Sequence, residues 1–319
     1  MGCTMSPAEK AALSRSKQID KYLAEEALRA RRHFYLLLLG SSDSGKSTVM
    51  KQLKIIYGSG FTEEEFKSYR SIIYSNTIQS LVAILEAMSR LQISFRNTDR
   101  KDDEKIVFDV IHRWEDMEPF SEELLMAMKR LWGDGGVQEC FGRSNEYQIR
   151  DSAKYFLDNL DRIGMQNYQP TEQDFVRTYT STYGVNEINF ALKNLNFTIF
   201  DVLFEDDRSN RMEDSIHLFD TVCNNKWFFG MPVILLLNKS DIFKLKIEKY
   251  PLTVCFPEYR GRHEYAEAAD YIFSQFEAKN KSASRIIYHF MTSAVEKESV
   301  QEAFDDIVRR GLCETIDTY

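Results

Sequence analysis

The sequence predicts an α/β fold built on a phosphate-binding loop and interrupted by an inserted all-helical block. Three observations predict it. An apolar run, Phe34 to Leu39, leads through Gly40-Ser41-Ser42-Asp43-Ser44-Gly45-Lys46-Ser47 into a helical pattern, Thr48 to Ile56. That is the strand, loop and helix context which the G-x-x-x-x-G-K-[ST] pattern requires. Strand patterns alternate with helical ones again in the last third of the chain, as in a sheet covered by helices. Between these regions, from Phe61 to Phe175, helix follows helix with no strand alternation, as expected of an inserted domain.

The 319 residues suffice for one large domain or two modest ones. A net charge of -8 argues against a nucleic-acid partner, which needs a basic surface. Cys3, Cys140, Cys223, Cys255 and Cys313 have neither metal-ligand spacing nor a disulfide framework, which fits a reducing cytosol. The histidines form no metal-binding pattern. No apolar run approaches the roughly 18 residues of a spanning helix, and no secretory leader is present.

The chain opens on Met1-Gly2-Cys3-Thr4-Met5-Ser6, which matches the pattern for myristoylation of Gly2 and places Cys3 beside it for a palmitoyl chain. A single acyl chain anchors weakly, so the second signal matters. Residues 1–33 carry Lys10, Arg15, Lys17, Lys21, Arg29, Arg31 and Arg32 against four acidic residues, an excess suited to an anionic membrane surface. Residues 7–32 show a modest apolar stripe, with Ala11, Leu13, Ile19, Leu23 and Leu28, so residues 1–33 form a membrane or partner helix or a merely solvated one.

Residues 34–60 are the phosphate-loop unit, closed by Gly58-Ser59-Gly60. Residues 61–175 hold the helical patterns Tyr69 to Leu91, Glu104 to Trp114, Glu122 to Leu131 and Asp151 to Leu160. The alternating runs Asn186 to Leu192 and Phe197 to Val202 read as a hairpin around Lys193-Asn194-Leu195-Asn196. Helical patterns at Arg208–Cys223, Glu264–Ala278 and Ser299–Leu312 then alternate with apolar runs at Pro232–Leu237 and Arg285–Phe290. Such continuous apolar strands predict a largely parallel sheet covered on both faces.

The loop's chemistry is explicit. Its backbone N–H groups and the following helix terminus favour phosphate oxygens. Lys46 would reach the β- and γ-phosphates, and the Ser47 hydroxyl would hold Mg2+. Asn238-Lys239-Ser240-Asp241, after the Val233–Leu237 run, is an N-K-x-D tetrapeptide. A carboxylate at Asp241 can accept both the N1–H and the 2-amino group of guanine, with the Lys239 stem against the base. Adenine would leave that carboxylate unpaired, at a cost of roughly 1–3 kcal/mol. Four residues alone resemble many surface turns; joined to the loop and to Asp201 at another strand's end, they select guanine. Thr292-Ser293-Ala294, after the last strand, sits where a backbone N–H would meet the guanine carbonyl, because ligands bind at strand C-termini in such sheets.

These motifs, with Leu131-Trp132, Val137-Gln138-Glu139-Cys140-Phe141, Asp151-Ser152-Ala153-Lys154-Tyr155-Phe156-Leu157, Asn210-Arg211-Met212 and Cys223-Asn224-Asn225-Lys226-Trp227-Phe228, resemble the α-subunits of heterotrimeric G proteins over nearly the whole chain. The resemblance implies a Ras-like GTP-binding domain (34–60 and 176–319) with an inserted helical domain (61–175). It implies GTP or GDP on Gly40, Asp43, Ser44, Gly45, Lys46, Ser47, Thr48, Asp151, Ser152, Val176, Arg177, Thr178, Thr182, Asp201, Asn238, Lys239, Ser240, Asp241 and Ala294. Mg2+ would take Ser47 and Thr182, with Asp201 acting through water. The implied partners are a G protein βγ dimer, a seven-helix receptor and, through lipid on Gly2 and Cys3, the cytoplasmic face of the plasma membrane. The effector is unspecified.

Three departures concern turnover. Tyr179 stands where the family has its catalytic arginine, a register set by Thr182 and Gly184. Asp201-Val202 runs directly into Leu203-Phe204-Glu205-Asp206-Asp207, so the second switch, its water-positioning glutamine, its helix and the next strand are missing. Ser42 occupies a loop position that is glycine in the family, near the γ-phosphate. No catalytic residue is therefore assigned. The chain reads as a GTP/GDP switch in receptor signalling, or else as a non-hydrolysing or non-cycling binding protein or truncated splice form of the same family. The ending, Leu312 to Tyr319, also departs from the common ones.

Overall fold

The computed structural model describes residues 6–180, 186–201, 211–228 and 231–312. The chain forms two compact units, one from the described residues of Met1–Gly60 and Thr182–Tyr319, the other from those of Phe61–Ser181.

The first unit begins with helix α1 (Pro7–Ala30). Its Leu13, Ile19, Tyr22, Leu23 and Leu28 are all exposed, at 45–61%, so its apolar stripe is not part of a core. Strand β1 (His33–Leu38) leads through the phosphate loop into α2 (Lys46–Tyr57).

The second unit is entirely helical, as its sequence periodicity predicts. Its spine is α3 (Glu63–Leu91), opened by a reciprocal cap between Thr62 and Glu65. Around it lie α4 (Arg100–His112), α5 (Glu122–Trp132), α6 (Gly135–Gly142), α7 (Ala153–Asp158), α8 (Leu160–Ile163) and α9 (Glu172–Arg177). Ile78, Leu81, Leu85, Met128, Leu131 and Leu157 share its main core. The single helix expected over Asp151–Leu160 is broken at Asn159, whose side-chain amide donates to the Tyr155 carbonyl at 2.8 Å. Competition of that kind for backbone groups disfavours a continuous helix. The described residues of this unit run past residue 175 to Thr180. Phe175 is fully buried against Phe61, Phe66 and Tyr69, and this anchors α9 and the residues after it to the helices.

The chain then returns to the first unit through β2 (Asn186–Leu192) and β3 (Leu195–Asp201), an antiparallel hairpin. Its connection is two residues long, not four. Lys193 and Asn194 have φ of 50° and 65°, a turn with both central residues left-handed, whose twist matches the flanking strands. Leu195 and Asn196 consequently pair with Leu192 and Ala191. Helix α10 (Arg211–Cys223), β4 (Val233–Leu237), α11 (Ser240–Ile247), α12 (Tyr265–Glu277), β5 (Ile287–Met291) and α13 (Lys297–Ile307) complete the order.

The one largely parallel sheet expected from sequence is divided. Among the described residues, β1, β3 and β2 form a three-stranded sheet in the order β1-β3-β2, and β4 pairs in parallel only with β5. The break falls where the resemblance expects a further strand, and β1 and β4 have no ladder between them among the described residues. Packing replaces it on one face: Leu36 and Leu38 of β1 and Ile234 and Leu236 of β4 meet Val49, Met50 and Leu53 of α2 and Val300 and Phe304 of α13 in one core. On the other face, Leu235 and Leu237 pack under α10, α11 and α12, but Tyr35 and Leu37 of β1 remain 69% and 43% exposed. The expected double cover therefore holds for β4 and fails for β1.

Candidate functional site

The phosphate loop joins the C-terminal end of β1 to the N-terminus of α2. Its curl is closed by the Ser44 N–H donating to the Ser41 carbonyl at 3.2 Å. Gly45 caps α2 with φ of 100°, a left-handed conformation that favours glycine. A Cβ there would also lie 2.2 Å from Nδ2 of Asn238. Because the cap is a glycine, it brings no side chain to the first-turn N–H groups of α2, the donors an anion would take. Lys46 is buried, and its Nζ donates to the carbonyls of Gly40 at 3.0 Å and Ser41 at 3.1 Å. Ser47 and Thr48 are half-buried in the same turn.

Asn238, at the end of β4, is the junction of the site. Its Nδ2 donates to the Ser44 carbonyl at 2.8 Å, and its Oδ1 accepts the Ala294 N–H at 2.8 Å and the Thr292 hydroxyl at 3.4 Å. One amide side chain thus ties the phosphate loop to the β4 end and to the segment after β5. The Ser240 N–H donating to the Thr292 carbonyl at 3.0 Å adds a second tie. Lys239 turns the chain with φ of 66°, and Asp241 lies half-buried in the first turn of α11. The Ala294 N–H, expected to face the guanine carbonyl, is given to Asn238 in this structure. Asp201 ends β3 beside Leu38 of β1 and is 1% exposed. Parallel pairing of β1 with β3 thus brings Asp201 to the loop's end of the sheet.

The other sequence-derived residues belong to the second unit. Asp151 is exposed and Ser152 half-buried, while Val176 and Thr178 are buried. The Arg177 guanidinium lies 4.8 Å above the Tyr155 ring, and its Nε donates to Gln173 at 3.3 Å. Tyr179 is held twice: its N–H donates to Oδ1 of Asn76 at 2.7 Å, and the Arg150 guanidinium stacks 4.3 Å over its ring. Beside them Asp174 is fully buried, accepting from Arg162 at 2.6 and 2.7 Å and from Tyr155 and Tyr168 at 2.9 Å. Burial pushes its carboxyl up, but the Arg162, Thr171 and tyrosine hydrogen bonds outweigh burial and hold it below the usual carboxylate range. Gly2, Cys3 and Thr182 lie outside the described residues.

Two contacts were not legible in the sequence. Arg211, the first residue of α10, is ion-paired with Asp43 and donates from Nη1 to the Ser42 carbonyl at 3.3 Å. One turn on, the Ser215 and Ser41 hydroxyls are 2.7 Å apart. In the sequence, Arg211 stands only within the family-like stretch Asn210-Arg211-Met212. No pattern in the chain links a residue to a partner 168 positions away.

The residues present fit a nucleoside phosphate: a glycine-capped helix terminus, a lysine within the loop, and the Asn238-Lys239-Ser240-Asp241 segment tied to the loop through Asn238. For Mg2+, Ser47 and Asp201 supply oxygen donors of the kind that ion prefers, and the third donor, Thr182, is outside the described residues.

Comparison with known proteins agrees. The family described as "G-protein alpha subunit" matches residues 13–203 and 201–310. The two matching segments meet at residues 201–203, where the sequence places the missing segment. The chain is 57% identical to the guanine nucleotide-binding protein G(o) subunit alpha of Locusta migratoria and 54% identical to that of Caenorhabditis elegans, with 96% of each chain covered in both comparisons. Its identity to the Manduca sexta protein of the same name is 53%, at the same coverage. The Locusta alignment runs over 339 positions although this chain has 319 residues, so the relative carries residues without a counterpart here.

Proposed function

Because the chain belongs to the family of G-protein α subunits, we propose that this signal transducer switches by exchanging GDP for GTP on the loop of its first unit. The junction at Asn238 carries the proposal. It supports a single site in which phosphates lie on the loop and a guanine lies at Asn238-Lys239-Ser240-Asp241. Lys46 and the first-turn N–H groups of α2 face phosphate charge, Asp241 accepts the guanine edge, and Asn238 positions both segments. Ser47, Thr182 and, through water, Asp201 would hold Mg2+, which when bound offsets phosphate charge.

Turnover is slow in this reading. An arginine at the Tyr179 position is worth roughly 10³–10⁵ in rate, a range drawn partly from this family, or roughly 4–7 kcal/mol of barrier. The tyrosine has no cationic group to supply it. The water-positioning glutamine is gone, and Ser42 adds a side chain where the family has none. Asp151, Ser152, Val176, Arg177 and Thr178 complete the nucleotide contacts that the family resemblance assigns.

The partners proposed are a βγ dimer and a seven-helix receptor, at the cytoplasmic face of the plasma membrane through lipid on Gly2 and Cys3. The exposed apolar stripe of α1 supports a docked rather than solvated helix. No helix among the described residues is long and apolar enough to cross a membrane.

Purified full-length protein tests the reading. GDP and GTPγS, each with Mg2+, raise the melting temperature, and ATP does not. Binding at a hundred times Kd is worth about 2.7 kcal/mol. Phosphate release from GTP is slow in the same samples. No shift with either guanine nucleotide would overturn the proposal, and phosphate release as fast as that of a relative with arginine and glutamine in place would overturn its second half.

A further inference from the structure

We propose that Arg211 is a nucleotide-contacting residue that neutralises Asp43 and turns its remaining guanidinium donors to the terminal phosphate of GTP, so that the site favours triphosphate over diphosphate. The inference rests on the nucleotide reading of the same loop. It starts from a charge problem. Asp43 is an exposed residue of a loop whose other features attract phosphate, and its left-handed φ of 55° holds it within the curl. An uncompensated carboxylate there repels a nucleotide, and repels one with an extra phosphate more strongly.

Arg211 answers that charge from α10. It is ion-paired with Asp43, and its Nη1 also donates to the Ser42 carbonyl at 3.3 Å. The bond between the Ser215 and Ser41 hydroxyls, 2.7 Å, holds the same helix turn against the loop. A guanidinium has five donors in a planar fork. Nη1 serves the loop, while Nε and Nη2 make no hydrogen bond among the described residues. The side chain is 43% exposed, so a ligand can reach it. Ser42, which Arg211 binds, is the loop residue placed by resemblance at the γ-phosphate. Lys46 holds the Gly40 and Ser41 carbonyls, so the loop carries two cations. In a chain without a second switch, α10 then touches the part of the site that differs between GTP and GDP. A purely structural pair would instead shape the loop and affect both nucleotides alike.

Competition binding of GTPγS and GDP with Mg2+ distinguishes the two, and GTPγS keeps hydrolysis out of the measurement. Arg211→Ala should lower the preference for GTPγS over GDP about tenfold, a scale between the bulk-water and near-surface limits for two charges several ångströms apart, as suits a side chain in contact with solvent. Arg211→Lys should retain most of the preference, and adding Asp43→Asn to Arg211→Ala should recover part of it. Ser215→Ala, which leaves both charges, should keep the ratio within about twofold of the unsubstituted protein. Equal weakening of both nucleotides by Arg211→Ala, or no recovery on adding Asp43→Asn, would overturn the assignment. If Arg211→Ala fails to fold, Arg211→Gln takes its place with the same expectations. Failure of the unsubstituted protein to bind either nucleotide would remove the underlying reading and this one with it, an outcome distinct from binding with an unchanged ratio.

Discussion

Replacing Asn238 with alanine should loosen two segments that are 194 and 56 residues from it along the chain. The substitution removes the bond to the Ser44 carbonyl and the acceptor for the Ala294 N–H, each 2.8 Å long. Each such bond contributes about 1 kcal/mol net, and a buried N–H left without an acceptor costs about 1–3 kcal/mol. Ala294 is 3% exposed, so water cannot easily replace the lost acceptor. The local structure around residue 294 should therefore open more easily by about 2–4 kcal/mol, which at tenfold per 1.4 kcal/mol is about 30-fold or more in amide exchange. Hydrogen exchange read by mass spectrometry on peptides covering residues 292–296 and 41–46 measures it directly. Asn238→Asp separates the two bonds, since a carboxylate still accepts from Ala294 but cannot donate to Ser44. Exchange should then stay slow at residue 294 and quicken in the loop. Unchanged exchange at Ala294 in Asn238→Ala would refute the claim that this side chain joins the two halves of the site.

Other perturbations follow from single contacts. Asp174→Asn leaves Arg162 without its ionic partner; because Arg162 is 33% exposed, the cost should fall below the roughly 3–5 kcal/mol of a fully buried pair. Because the folded carboxyl is held below its ordinary 3.8, the stabilisation is present above that value and is lost as pH falls through the folded one. Acid melts of the unsubstituted protein should show this loss below about pH 4, and those of Asp174→Asn should not. Lys51 of α2 gives a slope of the same sign at higher pH: burial pulls its ammonium from 10.5 down to about 7. The unfolded chain then binds more protons between those values, so stability rises with pH across that window. Lys51→Met should abolish that rise in melts compared with the unsubstituted protein; an identical slope in both would refute it. Tyr179→Arg should raise single-turnover GTP hydrolysis, by less than the roughly 10³–10⁵ an arginine is worth because no glutamine orients the water. An unaltered rate would mean that residue 179 does not reach the phosphates.

Local chemistry made much of this protein legible before any coordinates. Gly40 to Ser47 could be read as a loop because glycine spacing, an apolar run and a helical pattern lie consecutively in the chain. The 100° φ of Gly45 is the conformation that the second glycine is there to permit. The helical block was equally legible, since its periodicity needs only neighbours three and four residues apart. The hairpin was legible in kind but not in its turn: the chain shows Lys193-Asn194 as polar residues without stating that both take left-handed angles.

By itself, the sequence determined the family and the phosphate-loop pattern, and it carries the Asn238-Lys239-Ser240-Asp241 tetrapeptide and the direct run from Asp201-Val202 into Leu203. Each is written in residues adjacent or regularly spaced along the chain. Only the tertiary structure decided how the sheet is divided. Hydrogen-bond ladders need strands in register at close range, and among the described residues β1 and β4 have none between them; α2 and α13 join them through side-chain packing on one face. It also decided that Arg211 meets Asp43 and that Asn238 spends its amide on Ser44 and Ala294. Those contacts depend on where α10 and the two strand ends come to rest, and distance in space is not encoded in distance along the chain.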